Sequence, residues 1–123
     1  MNINNKITIV IVIYNSSNLI FDCLKSLTQF NIIIVDNGKN LNILNELKHR
    51  KNIKIISQNK NLGYGCGINF AFKYIETDFF LALNPDVVIE ESSILKLLDT
   101  ALNNQKCAIA APLNFPYADS FGI

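Results

Sequence analysis

The order of apolar and polar positions is the clearest signal in this chain. Apolar runs open near Ile7 (through Ile13), Ile32 (through Val35), Ile53 (through Ile56), Phe79 (through Leu83) and Cys107 (through Ala111), at intervals of 21 to 28 residues. That interval holds a strand, a loop, a helix and a second loop. The runs are short, mostly rich in Ile and Val, and three are continuous rather than alternating, as in parallel strands covered on both faces. Between them, apolar residues recur at helical spacing. Leu19, Ile20, Cys23, Leu24 and Leu27 form a first stripe, behind Ser and Asn residues suited to an N-cap. Leu41, Ile43, Leu44 and Leu47 form a second, and Ile68, Ala71, Phe72 and Ile75 a third. The fourth is Ile94, Leu95, Leu97, Leu98, Ala101 and Leu102. With no hairpin signal, the pattern predicts an α/β fold, a mostly parallel open sheet of five strands with alternating helices and right-handed crossovers.

Composition narrows the class. A length of 123 residues suits one domain, 1–123, and half the residues are hydrophobic with only 17% charged, which excludes intrinsic disorder. The formal net charge is +1, and Arg50 is the only arginine, so the chain carries no electrostatic footprint for nucleic acid. Cys23, Cys66 and Cys107 form no CxxC pair, and with His49 as the only histidine they give no zinc ligand set. They read as thiols of a reducing compartment. The run from Ile7 to Tyr14 is followed by Asn15-Ser16-Ser17-Asn18 rather than a small-residue cleavage site, and no apolar stretch approaches the ~18 residues of a membrane span. The expected location is cytoplasmic, with membrane contact at most peripheral. The basic run Lys48 to Lys51 reads as a solvated helix end. Residues 113–123 read as a loop-like tail of a chain that continues.

Candidate chemistry follows from the topology. Open parallel sheets bind ligands beyond the carboxyl ends of their strands, near a switch in strand order. The first four strand ends here are Tyr14-Asn15-Ser16, Asp36-Asn37-Gly38, Gln58 to Gly63, and Asn84-Pro85-Asp86. All four carry Asn, Asp or Gly, which suits a clustered site and also suits turns and helix caps. Asp36 could accept the imide N–H of a uracil- or thymine-type base, or belong to a bare Asn-Gly turn. Asp86, behind the stiff Pro85, could hold a divalent cation that in turn holds a diphosphate, or cap the helix opening near Glu90. Gly63-Tyr64-Gly65-Cys66-Gly67 fails the G-x-G-x-x-G fingerprint at Ile68 and lacks G-K-[ST], so it is neither a dinucleotide fingerprint nor a P-loop. Its glycines suit close approach to a ligand or to a neighbouring strand.

Taken in order, these stretches resemble the amino-terminal half of a family 2 glycosyltransferase of the GT-A fold. The resemblance runs from about Ile7 to Pro112 through Ile9 to Ser16, Ile33 to Gly38, Asn59 to Asn69, Leu81 to Val87 and Ala108 to Pro112. The Asn84-Pro85-Asp86 form is similar to the rhamnosyltransferase-like branch, which builds cell-surface polysaccharides such as O-antigen. The resemblance implies a nucleotide-diphosphate sugar donor, dTDP- or UDP-linked, with Mg²⁺ or Mn²⁺, and a glycan or lipid-linked acceptor attacking with inversion. By position it implies that Asn15 and Asp36 contact the nucleoside and that Tyr14, Asn61, Gly63 and Asn84 lie along the donor site. Asp86 then holds the metal, since Asn84 replaces the first acid of the family's Asp-x-Asp motif. The family's general base lies in its carboxy-terminal half, so none is expected within this chain. The expectation is therefore a truncated transferase, or a donor-binding half completed by a partner chain.

Overall fold

The computed structural model describes residues 2–113. After a 3-10 turn at Ile3–Asn5 come β1 (Ile7–Ile13), α1 (Leu19–Leu24), β2 (Asn31–Asp36) and α2 (Leu41–Leu47). There follow β3 (Ile53–Ser57), α3 (Tyr64–Phe72), β4 (Phe79–Ala82) and α4 (Glu91–Leu102). The chain divides into two compact units, Met1–Val88 and Ile89–Ile123.

The first unit contains a four-stranded sheet in the order β3-β2-β1-β4, with every pairing parallel. β1 is central, and all seven of its residues are buried, which is why its sequence has no polar alternation. β3 and β4 are the edges and are half-buried or exposed throughout, save the buried Ile56. The step from β1 to β2 to β3 runs one way across the sheet, and the return to β4 crosses to the far side of β1. Right-handed crossovers therefore put α1 and α2 on one face and α3 on the other. On the α3 face, Val10, Val12, Ile33, Val35, Ile56 and Ala71 form a cluster, flanked by Ile68, Phe70, Tyr74 and Ile75. The opposite face presents Ile9, Ile11, Ile13, Ile32 and Ile34, none more than 2% exposed. Each such side chain contributes ~1.5–3 kcal/mol relative to an exposed one.

α3 lies close to the sheet because Gly67 lacks a side chain. A Cβ built there would meet Val12 Cγ1 at 2.8 Å and Cγ2 at 3.0 Å. The close approach expected of the glycine-rich segment is thus to a strand at Gly67, while a Cβ at Gly65 would meet nothing within 4 Å. Ahead of α1, Asn18 makes no side-chain cap bond, and Ser17 Oγ accepts from Leu19 N–H at 3.4 Å instead.

The expected fifth strand is not formed. Cys107–Ala111 belongs to the second unit, carries no strand, and is paired with no strand among the described residues. An apolar run becomes a strand only where a neighbour takes up its N–H and C=O groups. Here the chain leaves α4 in a turn, with Cys107 N–H bonded to Asn104 C=O at 2.8 Å, and Ile109 is 88% exposed. Three of the five residues are alanines, which are depleted in strands. The expected tail beyond Leu113 lies outside the described residues.

Candidate functional site

Each loop leaving the carboxyl ends of β1, β2 and β3 carries backbone in the left-handed region: Asn15 (φ 47°), Gly38 (φ 113°) with Lys39 (φ 62°), and Gly63 (φ 86°). Such backbone is uncommon for residues with a Cβ and is tolerated best by Asn. It lets the three loops turn sharply, so the polar groups stay close to the strand ends.

Asp36 ends β2. Its Oδ1 accepts from Gly38 N–H at 2.9 Å and from Asn40 Nδ2 at 2.8 Å, and its Oδ2 accepts from Ser57 Oγ at 3.2 Å. A carboxylate offers about four acceptor positions, so one, on Oδ2, remains for a ligand N–H. Asn40 stands at the head of α2 and makes no side-chain cap bond. Its amide turns back into the loops, donating to Gly38 C=O at 2.7 Å and Ile13 C=O at 3.2 Å as well as to Asp36, while its Oδ1 accepts from Ser16 N–H at 2.9 Å. Asn15 N–H adds a bond to Gly38 C=O at 3.2 Å. Around these groups lies a cleft of about 640 Å³ lined by Asn15, Ser16, Asp36, Lys39 and Asn40, among others. The Lys39 ammonium lies 5.6 Å from the centre of the half-exposed Tyr14 ring, a cation–π distance.

Asn37 ties in the third loop. It is 2% exposed, and its Nδ2 donates to Gly63 C=O at 3.1 Å and to Asn61 Oδ1 at 3.4 Å. Asn61 Oδ1 also accepts from Gly63 N–H at 2.9 Å. Asn61 and Gly63 therefore brace the head of α3 against the end of β2.

The strand order reverses between β1 and β4, and a second cavity of about 360 Å³ lies at their carboxyl ends. Ser16, Ser17, Leu19, Asn84, Pro85 and Asp86 line it, so Ser16 belongs to both cavities. Asn84 to Val87 is a β-turn closed by Val87 N–H on Asn84 C=O at 3.2 Å, with Pro85 at its favoured second position. Asp86 is exposed. It does not cap α4, whose N-cap is Glu90. The fully buried Cys23 of α1 directs its thiol to Asn84 C=O, with Sγ···O 3.8 Å. Burial, and secondarily the Asp86 carboxylate, push that thiol's pKa up to about 11.

The donor atoms on this side are the Asp86 carboxylate, the Asn84 amide and the Ser16 hydroxyl, all hard oxygens. No three His, Cys, Asp or Glu residues form a metal-holding group among the described residues. Such a donor set fits a hard cation shared with a phosphate ligand rather than a metal ion held by protein alone.

The structure thus brings Asn15 and Asp36 together in one cavity and Asn84 and Asp86 in the next, with Asn61 and Gly63 bracing behind. Asn40, Asn37 and the bridging Ser16 join the site without having been among the residues expected from sequence. The only sequence sign of Asn40 was a polar residue heading an apolar stripe, which a cap explains equally well.

A parallel α/β sheet with polar cavities at the carboxyl ends of its strands, one of them at the strand-order switch, has its polar groups where open sheets of this class bind ligands. The chain belongs to glycosyl transferase family 2, whose family model matches residues 8–121. It is 30% identical over 120 residues to a teichoic acid poly(glycerol phosphate) polymerase of Staphylococcus epidermidis, a match that covers 89% of this chain and 16% of the relative. It is 33% identical over 112 residues to a poly(ribitol-phosphate) beta-glucosyltransferase of Bacillus spizizenii, covering 81% of this chain and 18% of the relative. The chain therefore spans less than a fifth of the length of these curated relatives. Among solved structures, it matches a mannosyltransferase, PcManGT, from Pyrobaculum calidifontis in complex with GDP-Man and Mn²⁺. The TM-score is 0.60 at 14% identity, with 73% of this chain and 30% of that chain covered. That likeness establishes the GT-A, Rossmann-like fold. No helix among the described residues is long and apolar enough to cross a membrane.

Proposed function

We propose that this chain binds a nucleotide-diphosphate sugar, dTDP- or UDP-linked, as the donor-binding part of a glycosyltransferase acting on a cell-surface polymer or its lipid-linked precursor. The observation that carries the reading is the pair of cavities at the carboxyl ends of the strands, one walled by Asp36 beyond β1 and β2 and the other by Asp86 at the switch between β1 and β4, with Ser16 common to both. A nucleoside fits the first, where Asp36 Oδ2 keeps one acceptor free for an imide N–H and Asn15 lines the wall. The diphosphate and sugar then extend toward Asn84 and Asp86. Asp86 would hold a Mg²⁺ or Mn²⁺ ion against the diphosphate, with Asn84 and Ser16 as neutral oxygen neighbours. When bound, the ion offsets charge on the leaving diphosphate. The named relatives act on glycerol phosphate and ribitol phosphate polymers, which favours a cell-wall polymer as acceptor. Inversion at the sugar carbon belongs to the same reading.

The second reading is a non-catalytic nucleotide-sugar-binding half that completes a partner chain. The test of donor binding is thermal. At a hundred times its Kd, a dTDP- or UDP-sugar with Mn²⁺ stabilises the native state by ~2.7 kcal/mol, a rise of ~10 °C in Tm for a domain this size. Asp86→Ala should abolish the metal-dependent part of the rise. No shift with either nucleotide in the wild-type chain would remove the reading. Sugar transfer by this chain alone would exclude the half-enzyme alternative.

A further inference from the structure

We infer that Asn40 is a positioning residue that locks the nucleoside side of the cleft to its diphosphate side, an inference that rests on the donor-binding reading above. Asn40 is 4% exposed. Its single amide reaches three segments: Asp36 Oδ1 and Gly38 C=O at the end of β2, Ile13 C=O at the end of β1, and Ser16 N–H in the loop beyond. The two hydrogens of Nδ2 serve three acceptors between 2.7 and 3.2 Å, so one hydrogen is shared. Each bond has a separate consequence for the cleft.

The bond to Asp36 turns the carboxylate so that Oδ1 is occupied and Oδ2 carries the one open acceptor. The bond from Ser16 N–H fixes the residue that lines both cavities. The two chambers are therefore held in register by one side chain that itself lies at the back of the first. A helix cap would have stabilised α2 locally. Here the side chain forgoes the cap in favour of the loops.

Asn40→Asp separates positioning from mere stability. It keeps an acceptor for Ser16 N–H but loses the donor to Asp36 and places a second carboxylate beside the first. Like charges at that distance share one proton, which restores a hydrogen bond between them only at lower pH. Asp36 and Lys39 are the only charged groups among the residues lining this cavity.

The experiment uses the intact chain with UDP and dTDP in the presence of Mn²⁺, measured by calorimetry, and amide hydrogen exchange without ligand. In Asn40→Ala, exchange at Ser16 and Gly38 should accelerate about tenfold or more while the buried β1 amides keep their rates, and nucleotide affinity should fall about tenfold. In Asn40→Asp, affinity should be low at pH 8 and recover as pH falls toward 5, a trend the wild type does not share. Unchanged exchange at Ser16 in Asn40→Ala, or wild-type affinity in both variants at every pH, would overturn the inference. If the wild type binds neither nucleotide, the donor reading fails and Asn40 has no ligand to position, so the inference falls with it. Altered exchange with wild-type affinity would leave the reading standing and refute the inference alone. Should Asn40→Ala not fold, the pH dependence of nucleotide affinity in Asn40→Asp decides the inference alone.

Discussion

Gly67 and Gly65 lie two residues apart in α3, and the structure assigns opposite signs to the same substitution at the two positions. Replacing a helical glycine by alanine gains ~1 kcal/mol of helix propensity. At Gly65 nothing lies within 4 Å of the new methyl group, so Gly65→Ala should stabilise the protein by up to that amount. At Gly67 the methyl group would meet two Val12 methyls at 2.8 and 3.0 Å. Val12 cannot easily yield. It is β-branched and stiff at χ1, it is 7% exposed, and β1 is pinned by β2 on one side and β4 on the other. Overpacking of this kind costs ~1–3 kcal/mol, and it also pushes α3 from the sheet. With the propensity gain subtracted, Gly67→Ala should lose up to ~2 kcal/mol, a fall in Tm of up to ~10 °C. Urea denaturation of both variants, with Val12→Ala and the double variant Val12→Ala/Gly67→Ala, closes the cycle. The double variant should be less destabilised than the sum of its parts by ~1 kcal/mol or more, because removing the Val12 methyls makes room for the new one. Gly67→Ala as stable as Gly65→Ala, or a strictly additive double variant, would refute the close seat of α3 on β1.

Three further expectations follow from buried polar groups. Cys23 is fully buried with its thiol pKa raised to about 11, so native protein treated with iodoacetamide at pH 8 should be labelled at the exposed Cys66 and spared at Cys23. Because that pKa is raised from 9.0 on folding, the thiol's contribution to stability is complete below pH 9 and is lost as pH climbs toward 11; Cys23→Ala should remove that share of the slope in alkaline denaturation curves. Thr8, 5% exposed on β1, shares a 2.8 Å hydrogen bond with the Thr77 hydroxyl, which itself donates to Phe79 C=O at 2.8 Å. Thr77→Val should cost ~1–3 kcal/mol by stranding the Thr8 hydroxyl, and Thr8→Val/Thr77→Val should recover part of that loss in urea titrations.

The elements of the sheet were legible because burial on both faces leaves a continuous mark. A strand such as Ile7–Ile13, with every residue buried, reads as a nearly unbroken apolar run whose one polar residue, Thr8, is hydrogen-bonded to Thr77, and no helix of that length needs so many β-branched residues. Cys107–Ala111 shows where this logic stops. Its apolar character was visible, but strand formation depends on a neighbour's hydrogen bonds, which no local pattern encodes. The site was legible to the same depth. Asp36 and Asp86 could be placed because strand ends follow from strands, and Asn84-Pro85-Asp86 is a turn that sequence defines. Asn40 could not, since an Asn before an apolar stripe bonds its own helix in one structure and a distant loop in another. The choice here is made by Ser16 N–H and the Asp36 carboxylate, which sequence separation of 24 and 4 residues does not reveal.

Asn37-Gly38 is the dipeptide at which proteins age fastest, because a glycine amide nitrogen readily attacks the preceding side-chain carbonyl to form a succinimide. In this fold both reactants are held apart from that path. The Gly38 N–H is committed to Asp36 Oδ1, and the Asn37 side chain is buried and anchored through its amide to Gly63 C=O. The hydrogen bonds that shape the cleft thereby also act as a chemical preservative. Storage lifetime and integrity of the strand-end loops are coupled, and spontaneous deamidation at Asn37 becomes a clock that runs only while those loops are open.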